Sequence, residues 1–397
     1  NASWYMLSPD DRSHYENHSG CGNTLRVAHP RVTQFVMDVL RFWVGSMGVD
    51  GFRFDLAPVL GRTRQGFDPS APFFVALRQD PLLAGVHWIA EPWDTGAGGY
   101  QLGRFPGKFL EWNDRFRDAV RGYWLGKGVS RGEFARRVTG SSDVFHHGAR
   151  QPTASVNFVA AHDGFTLADA VSYAHKHNEA NGEDNRDGHS HEASANFGVE
   201  GDTDDAIIRE TRLRVRRAMQ ATVLLAQGTP MLCAGDEFGN SQQGNNNAYC
   251  QDNATGWLNW PNVDTYAGSL ALVSKLTALR QAEPLLRHPR WFGTAGPARH
   301  WHKPEGGPMQ IADWHDRADC AFAFELQDEA GLPRWCVLFN PGPQAREFQL
   351  AHGPWQMVFD STLPEAARSA DILESLTAPA HGLLLLARAD TPLENHP

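Results

Sequence analysis

The sequence predicts an α/β chain with a parallel sheet, followed by a smaller antiparallel β-module. Three observations carry this expectation. Through residue 287, short apolar runs alternate with amphipathic helical stretches, a pattern that builds a parallel sheet with helices outside it. Three acids, Asp55, Glu91 and Asp163, close apolar runs and so fall at the C-terminal ends of strands, where α/β barrels place their active sites. From residue 288 the texture changes to short runs separated by Gly, Pro and Asp, as in a β-sandwich. The expected domains are 1–287, 288–390 and a tail, 391–397.

Residues 1–29 are polar and turn-rich and read as a loop. Pro30 suits the first position of a helix whose apolar stripe runs through Val32, Phe35, Val36, Val39, Leu40, Trp43, Val44 and Met47 and ends at Gly48. VDGFRFDLAPV (49–59) is a buried-strand candidate, followed by a helix over 72–84. Further strand candidates are HWIAEPW (87–93), KFLEWN (108–113), SVNFVAAHD (155–163) and TPMLCAGDEFG (229–239). Helices are expected at 114–125, 203–226 and 266–281, with a long polar loop at 174–202. In the β-module the strand candidates are Trp291, Met309–Trp314, Ala321–Leu326, Trp335–Asn340, Glu347–Leu350, Trp355–Asp360 and Gly382–Arg388.

Composition narrows the partners. The 397 residues carry 36 Lys and Arg against 46 Asp and Glu, a net charge of −10, which argues against a nucleic-acid partner. The basic stretch Arg212–Arg217 reads as the solvated face of a helix. No run of eighteen apolar residues occurs, so no membrane span is expected. Five Cys without a C-x-x-C pair fit a reduced, cytoplasmic setting better than a disulfide framework. Residue 1 is Asn, with no signal-peptide pattern after it, and the sequence reads as beginning inside a longer gene product. Trp outnumbers Tyr by 13 to 7; indole faces pack on the C–H faces of sugar rings, so a hydroxylated ligand is one reading of that excess.

The three acids suggest a chemistry. At about 31 residues per βα unit, the 36 residues from Asp55 to Glu91 make one unit and the 72 from Glu91 to Asp163 make two. Arg53 shares a strand face with Asp55 and can hold it ionised, as a nucleophile requires; the alternative is an ion pair that only fixes packing. Glu91, among Trp88, Pro92 and Trp93, is expected to be desolvated, which suits a general acid; the alternative is a helix-capping Glu. Asp163 follows His162 and precedes Gly164, and can equally be a strand-to-loop turn residue. Two carboxyls across a scissile bond is the arrangement for glycoside hydrolysis.

GFRFDLA, IAEPWD and VAAHDG resemble the second, third and fourth conserved regions of the alpha-amylase superfamily, glycoside hydrolase family 13. SGCGNT (19–24), FLEWNDRFRD (109–118), HNEANGEDNRDG (177–188), GTPMLCAGDEFG (228–239), GNNNAYCQDN (244–253) and WLNW (257–260) resemble, more narrowly, its glycogen-debranching, isoamylase-type branch. The resemblance covers about residues 1–390. It implies Asp55 as nucleophile, Glu91 as acid/base and Asp163 as transition-state stabiliser. Arg53, His162 and Trp93 become substrate-binding residues, and glycogen or another branched α-glucan the partner. The implied reaction is retaining hydrolysis of α-1,6 branch linkages, without an organic cofactor; calcium is not called for by any motif.

The sequence departs from the family pattern in one respect. The superfamily's earlier Asp-x-x-x-Asn-His region is missing: Asp11–His18 contains E-N-H without that spacing. Five strands are counted where a (β/α)8 barrel has eight. The expected fold is therefore a partial TIM barrel, about strands 4–8, without the earlier strands or the N-terminal carbohydrate-binding domain, followed by the C-terminal β-sandwich. An open sheet of this kind exposes edges and apolar surface. Two rival readings stand beside hydrolysis: 4-α-glucanotransfer by the same acids, and an inactive remnant that only binds glucan. His175, His177, His189 and His191 suggest a metal by spacing but match the family's cleft-rimming loop, so no metal is expected. Asp236 and Glu237 read as structural or subsite acids.

Overall fold

The computed structural model describes residues 2–293, 297–363 and 374–389; the expected tail, 391–397, lies outside them. The chain forms two compact units, 1–113 with 144–156, and 114–143 with 157–397.

In the first unit, strands Gly51–Phe54, His87–Ala90, Leu110–Trp112 and Ser155–Asn157 run parallel, side by side in that order. Gly51 is required where its strand passes His87, because a Cβ there meets the His87 carbonyl oxygen at 2.6 Å. Trp88 and Ala90 are buried in one cluster with Phe73, Phe74, Phe105 and Phe109. Helix Pro72–Gln79 supplies Phe73 and Phe74, and Phe54 reaches this group through Phe73 and Phe109, at ring centroid distances of 6.0 and 5.8 Å. The strands are shorter than the apolar runs that announced them; Gly51–Phe54 and His87–Ala90 end where Asp55 and Glu91 leave the strand.

Helix Pro30–Gly45 starts at its proline as expected, with the His29 side chain accepting from Arg31 N. Its stripe is only partly covered: Val32, Met37 and Leu40 are buried, whereas Phe35, Phe42, Trp43 and Met47 are exposed. Gly51–Phe54 pairs on one side only, with His87–Ala90, among the described residues. An open sheet edge and an uncovered apolar helix face are thus both present in this unit.

Glu111, in the third strand, is fully buried. It pairs with Arg150 and accepts from Gly103 N at 2.5 Å. Burial pushes its carboxyl above the ordinary range, opposed by the Arg150 charge. Arg150 also donates to the Phe109 carbonyl at 2.8 Å.

The second unit holds helices Asp114–Trp124, Arg131–Val138, Ala206–Leu225 and Ala267–Ala282. The helix at 131–138 was not expected; Ser130 caps it by accepting from Glu133 N. Thr229–Pro230 is a short strand, after which Met231 N donates to Asn157 O at 2.8 Å. The expected strand over 229–239 stops at Pro230, and Asp236–Phe238 is a 3-10 turn.

Arg212–Arg217 is not a solvated face. Arg212, Arg216 and Arg217 are each less than 8% exposed. Arg212 donates to the carbonyls of Gly201 and Asn196, both at 2.7 Å, and Arg216 lies 4.9 Å over the Tyr266 ring. Long guanidinium side chains bury their stems and deliver several donors to loop carbonyls that no regular structure satisfies.

The β-module is a five-stranded antiparallel sheet, ordered Trp355–Asp360, Gly382–Arg388, Pro333–Asn340, Phe322–Gln327 and Arg299–His302, beside the pair Arg346–Gln349 and Ser375–Ala378. Its central strands are buried on both faces. Val337, Phe339, Leu383 and Leu385 face the cluster with the helices; Cys336, Leu338, Leu384 and Leu386 face the cluster with Phe348 and Trp355. Double burial explains the continuous run LLLLA. Two expected strands are absent: Trp291 lies outside any strand, and Met309–Trp314 leads into a 3-10 turn at Asp313–His315. Arg299–His302 and Ser375–Ala378 were missed: the first holds a single apolar residue, Trp301, and the second is only four residues long.

Arg150→Met tests the buried pair. It removes the cation that faces buried Glu111, and stability falls by about 3–5 kcal/mol in urea denaturation followed by Trp fluorescence; adding Glu111→Leu restores most of the loss.

Candidate functional site

In the first unit one guanidinium organises the acids. Strand Gly51–Phe54 ends at Asp55, and Arg53 Nη1 donates to Asp55 Oδ1 at 2.5 Å. Its Nη2 lies 2.9 Å from Glu91 Oε2 as an ion pair, without the alignment of a hydrogen bond. The guanidinium lies 4.4 Å from the centroid of the Trp112 ring, which fixes its plane. The expected Arg53–Asp55 pairing is present, and Glu91 joins it.

Glu91 is 3% exposed. Its Oε2 accepts the Leu56 N–H at 2.7 Å. Leu56 has φ +41°, a left-handed conformation that costs a branched residue free energy and persists only when surrounding contacts hold it. The Glu91 carboxylate is one such contact. Two backbone bonds flank it, Glu91 N to Phe54 O at 3.1 Å and Ala57 N to Glu91 O at 3.0 Å. Trp88 lies on the opposite strand face, in the phenylalanine cluster, so it is not the residue that shields Glu91. Asp55 projects outward with its side chain 72% exposed, where a buried ion pair was the alternative. Trp93 is half-buried, two residues beyond Glu91.

Arg62 and Asp94, which sequence reasoning missed, form a buried two-point pair, Nε–Oδ2 at 2.7 Å and Nη2–Oδ1 at 2.5 Å. The Asp94 carboxylate also accepts from Gly96 N. The pair anchors the turn after Trp93; its only sequence signal was an Asp beside the IAEPW motif.

In the second unit, His162 Nε2 lies 3.5 Å from Asp163 Oδ2, and both side chains are more than half exposed. Gly164 has φ +95°, as the sharp turn required. Buried Arg121 donates to the Phe165 carbonyl at 2.9 Å and to Glu192 at 2.8 Å. Glu192 accepts from Phe165 N at 2.9 Å and from Asn246 Nδ2 at 2.8 Å. Arg121 and Glu192 together tie the Asp163 turn to the long polar loop, and the sequence did not single out either residue. A cavity of about 640 Å³ is lined there by Phe165, His175, Lys176, His189, His191 and Glu192. His177 instead pairs with Glu200 at 3.0 Å. Among the described residues these loop histidines do not gather three ligand atoms.

Asp236 is structural. Its Oδ1 accepts from Leu167 N at 2.9 Å, and burial pushes its carboxyl up to about 7. Glu237 accepts from Gly235 N at 2.9 Å. Asp169, which the sequence reading passed over, accepts from Ser241 Oγ at 2.5 Å and Gln242 N at 2.8 Å; burial pushes it up to about 6.

The comparisons with known proteins agree with this fold. No protein-family model matches the chain. Over 389 residues it is 47% identical to a glycogen debranching enzyme of Serratia proteamaculans, covering 98% of this chain and 57% of that protein. It is 48% identical over 366 residues to the glycogen debranching enzyme of Pectobacterium carotovorum, covering 92% of this chain and 54% of that protein. Among solved structures it is similar to a pullulanase from Bacillus acidopullulyticus, with a TM-score of 0.75, 21% identity, and coverage of 97% of this chain and 43% of that one. A pullulanase from Anoxybacillus complexed with maltotetraose gives a TM-score of 0.69 at 21% identity, covering 97% of this chain and 50% of that one. The fold is thus an α/β fold, with a parallel sheet and antiparallel sheets, of the kind found in pullulanases. The chain itself is similar to bacterial glycogen debranching enzymes along nearly its whole length, and spans little more than half the length of the curated relatives it matches.

The two raised carboxyls predict a pH dependence. Asp236 and Asp169 stay protonated in the folded chain up to about 7 and about 6, whereas in the unfolded chain they ionise near the ordinary value of about 4. Between these limits the native state binds more protons, so stability is full below about pH 4 for these groups and falls as pH rises to 7. Urea midpoints measured across pH 4–8 show this decline, and Asp236→Asn flattens it.

Proposed function

We propose that this chain carries the catalytic carboxylates of a glycoside hydrolase that cleaves α-1,6 branch linkages of glycogen or limit dextrin, with retention at the anomeric carbon. The observation that carries the reading is the Arg53 guanidinium, which contacts Asp55 and Glu91 through its two terminal nitrogens. Two carboxyls sharing one guanidinium suit the retaining separation of about 5–5.5 Å rather than the about 6.5–9.5 Å of inversion.

In this reading exposed Asp55 attacks the anomeric carbon and forms a glycosyl-enzyme. Glu91 protonates the leaving oxygen and then activates water. Arg53 orients Asp55. The resemblance gives Asp163, in the second unit, the role of transition-state stabiliser, and gives His162 and Trp93 the role of substrate contacts. The parallel strands belong to a partial (β/α)8 barrel, about strands 4–8, within residues 1–287, and residues 288–390 form a C-terminal sandwich domain. Branched α-glucan is the substrate, and neither nucleic acid nor an organic cofactor takes part. Among the described residues no helix is long and apolar enough to cross a membrane. The setting proposed is cytoplasmic, in keeping with five free thiols.

The test is release of reducing ends and linear chains from a branched α-glucan. Glu91→Gln lowers kcat by about 10²–10⁴, and Asp55→Asn by at least as much; near wild-type debranching by Asp55→Asn overturns the assignment. NMR of the first product shows the α-anomer, and a β-anomer rules out retention.

A further inference from the structure

A second cluster of ligand atoms lies in the β-module, outside the proposed glycosidase site. His302 ends strand Arg299–His302, Glu325 lies in Phe322–Gln327, and His352 occupies the turn before Trp355–Asp360. In the antiparallel register His300 stands opposite Glu325 and His302 opposite Ala323, so His302 and Glu325 share one sheet face. Glu325 is 1% exposed. Its Oε2 lies 2.9 Å from His352 Nδ1 and 3.7 Å from His302 Nε2, and one ligand atom from each residue fits within 4.8 Å of the others.

The surroundings leave this cluster unfinished. Both ring nitrogens of His302 are buried without a hydrogen-bond partner, although the residue is only 8% exposed. Buried polar nitrogens in that state are costly. Glu325 Oε1 accepts from Gln327 Nε2 at 3.0 Å, which orients the carboxylate and leaves Oε2 directed at the two imidazoles. Metal–ligand bonds of about 2.0–2.2 Å place neighbouring ligand atoms of a tetrahedron about 3.3–3.6 Å apart. The two measured separations bracket that value.

We propose that His302, Glu325 and His352 bind a divalent transition-metal ion of the zinc class, with water in the fourth position. Two neutral imidazoles and a carboxylate are a donor set such ions favour. The bound ion satisfies His302, offsets the buried Glu325 charge, and pins the turn at 352 to the first strands of the sheet. It acts as a structural clip far along the chain from the carboxylates of the glycosidase site.

Calorimetric titration of the EDTA-treated full chain with Zn²⁺ alone tests this, alongside thermal unfolding with and without Zn²⁺. One equivalent binds, and Tm rises with Zn²⁺ concentration. His352→Asn, a residue tolerant of the left-handed backbone at this position (φ +56°), weakens binding at least about tenfold and removes the Tm rise. Glu325→Gln does the same. The double variant His189→Ala/His191→Ala, in the polar loop, leaves the equivalent intact. Absence of a saturable equivalent overturns the proposal. So does binding that survives unchanged in His352→Asn, or that disappears in the polar-loop variant instead.

Discussion

The contact on which the first unit's site depends is the pairing of Arg53 with two carboxylates from neighbouring parallel strands. Asp55 extends its own strand, and Glu91 extends the next. Without a cation between them, the two acids on neighbouring strand ends repel each other. With Arg53 packed on Trp112, both strand ends are held, and the Glu91 carboxylate also fastens the left-handed Leu56 turn. The same atoms therefore fix the backbone geometry of both strand ends. The exposed member of the set is Asp55.

Elsewhere the same device recurs with backbone carbonyls in place of acids. Arg121, Arg150, Arg212 and Arg280 are buried and deliver donors to carbonyls of loops. Arg280 alone reaches Leu224, Ala226, Leu286 and Gly228, and burial lowers it to about 10. Short strands joined by long irregular connections leave many carbonyls without ladder partners, and a forked cation satisfies several at once. This is why a chain with a net charge of −10 still places so many of its arginines inside.

Legibility in the sequence followed how local each feature is. The strands of the parallel sheet were found because each lies in a short apolar run, and the central β-module strands because burial on both faces leaves a continuous apolar string. Arg299–His302 escaped notice because its one buried residue is a histidine and Trp301 is its only apolar residue, too little for a hydrophobic period. Helix Arg131–Val138 was hidden by its arginines; Arg131 and Arg137 are buried although their residue type suggests solvent. Helix Pro30–Gly45 shows the converse. Its stripe was read correctly as helical, but periodicity does not say whether a neighbour covers it.

The residues around the candidate site divide the same way. Arg53 and Asp55 lie two positions apart on one strand face, so their pairing follows from the pleat alone, and Gly164 announced its turn through its lack of a Cβ. Glu192 meets the Asp163 turn across 27 residues, Arg62 meets Asp94 across 32, and Arg53 meets Glu91 across 38. Contacts at such separations depend on strand order and loop paths, which no short window of sequence contains. The chain alone therefore determined which residue types stand at strand ends and what chemistry they can perform. Only the folded structure decided which acid shares which arginine, which cations go inside, and that two histidines and a glutamate from three separate segments meet in the β-module.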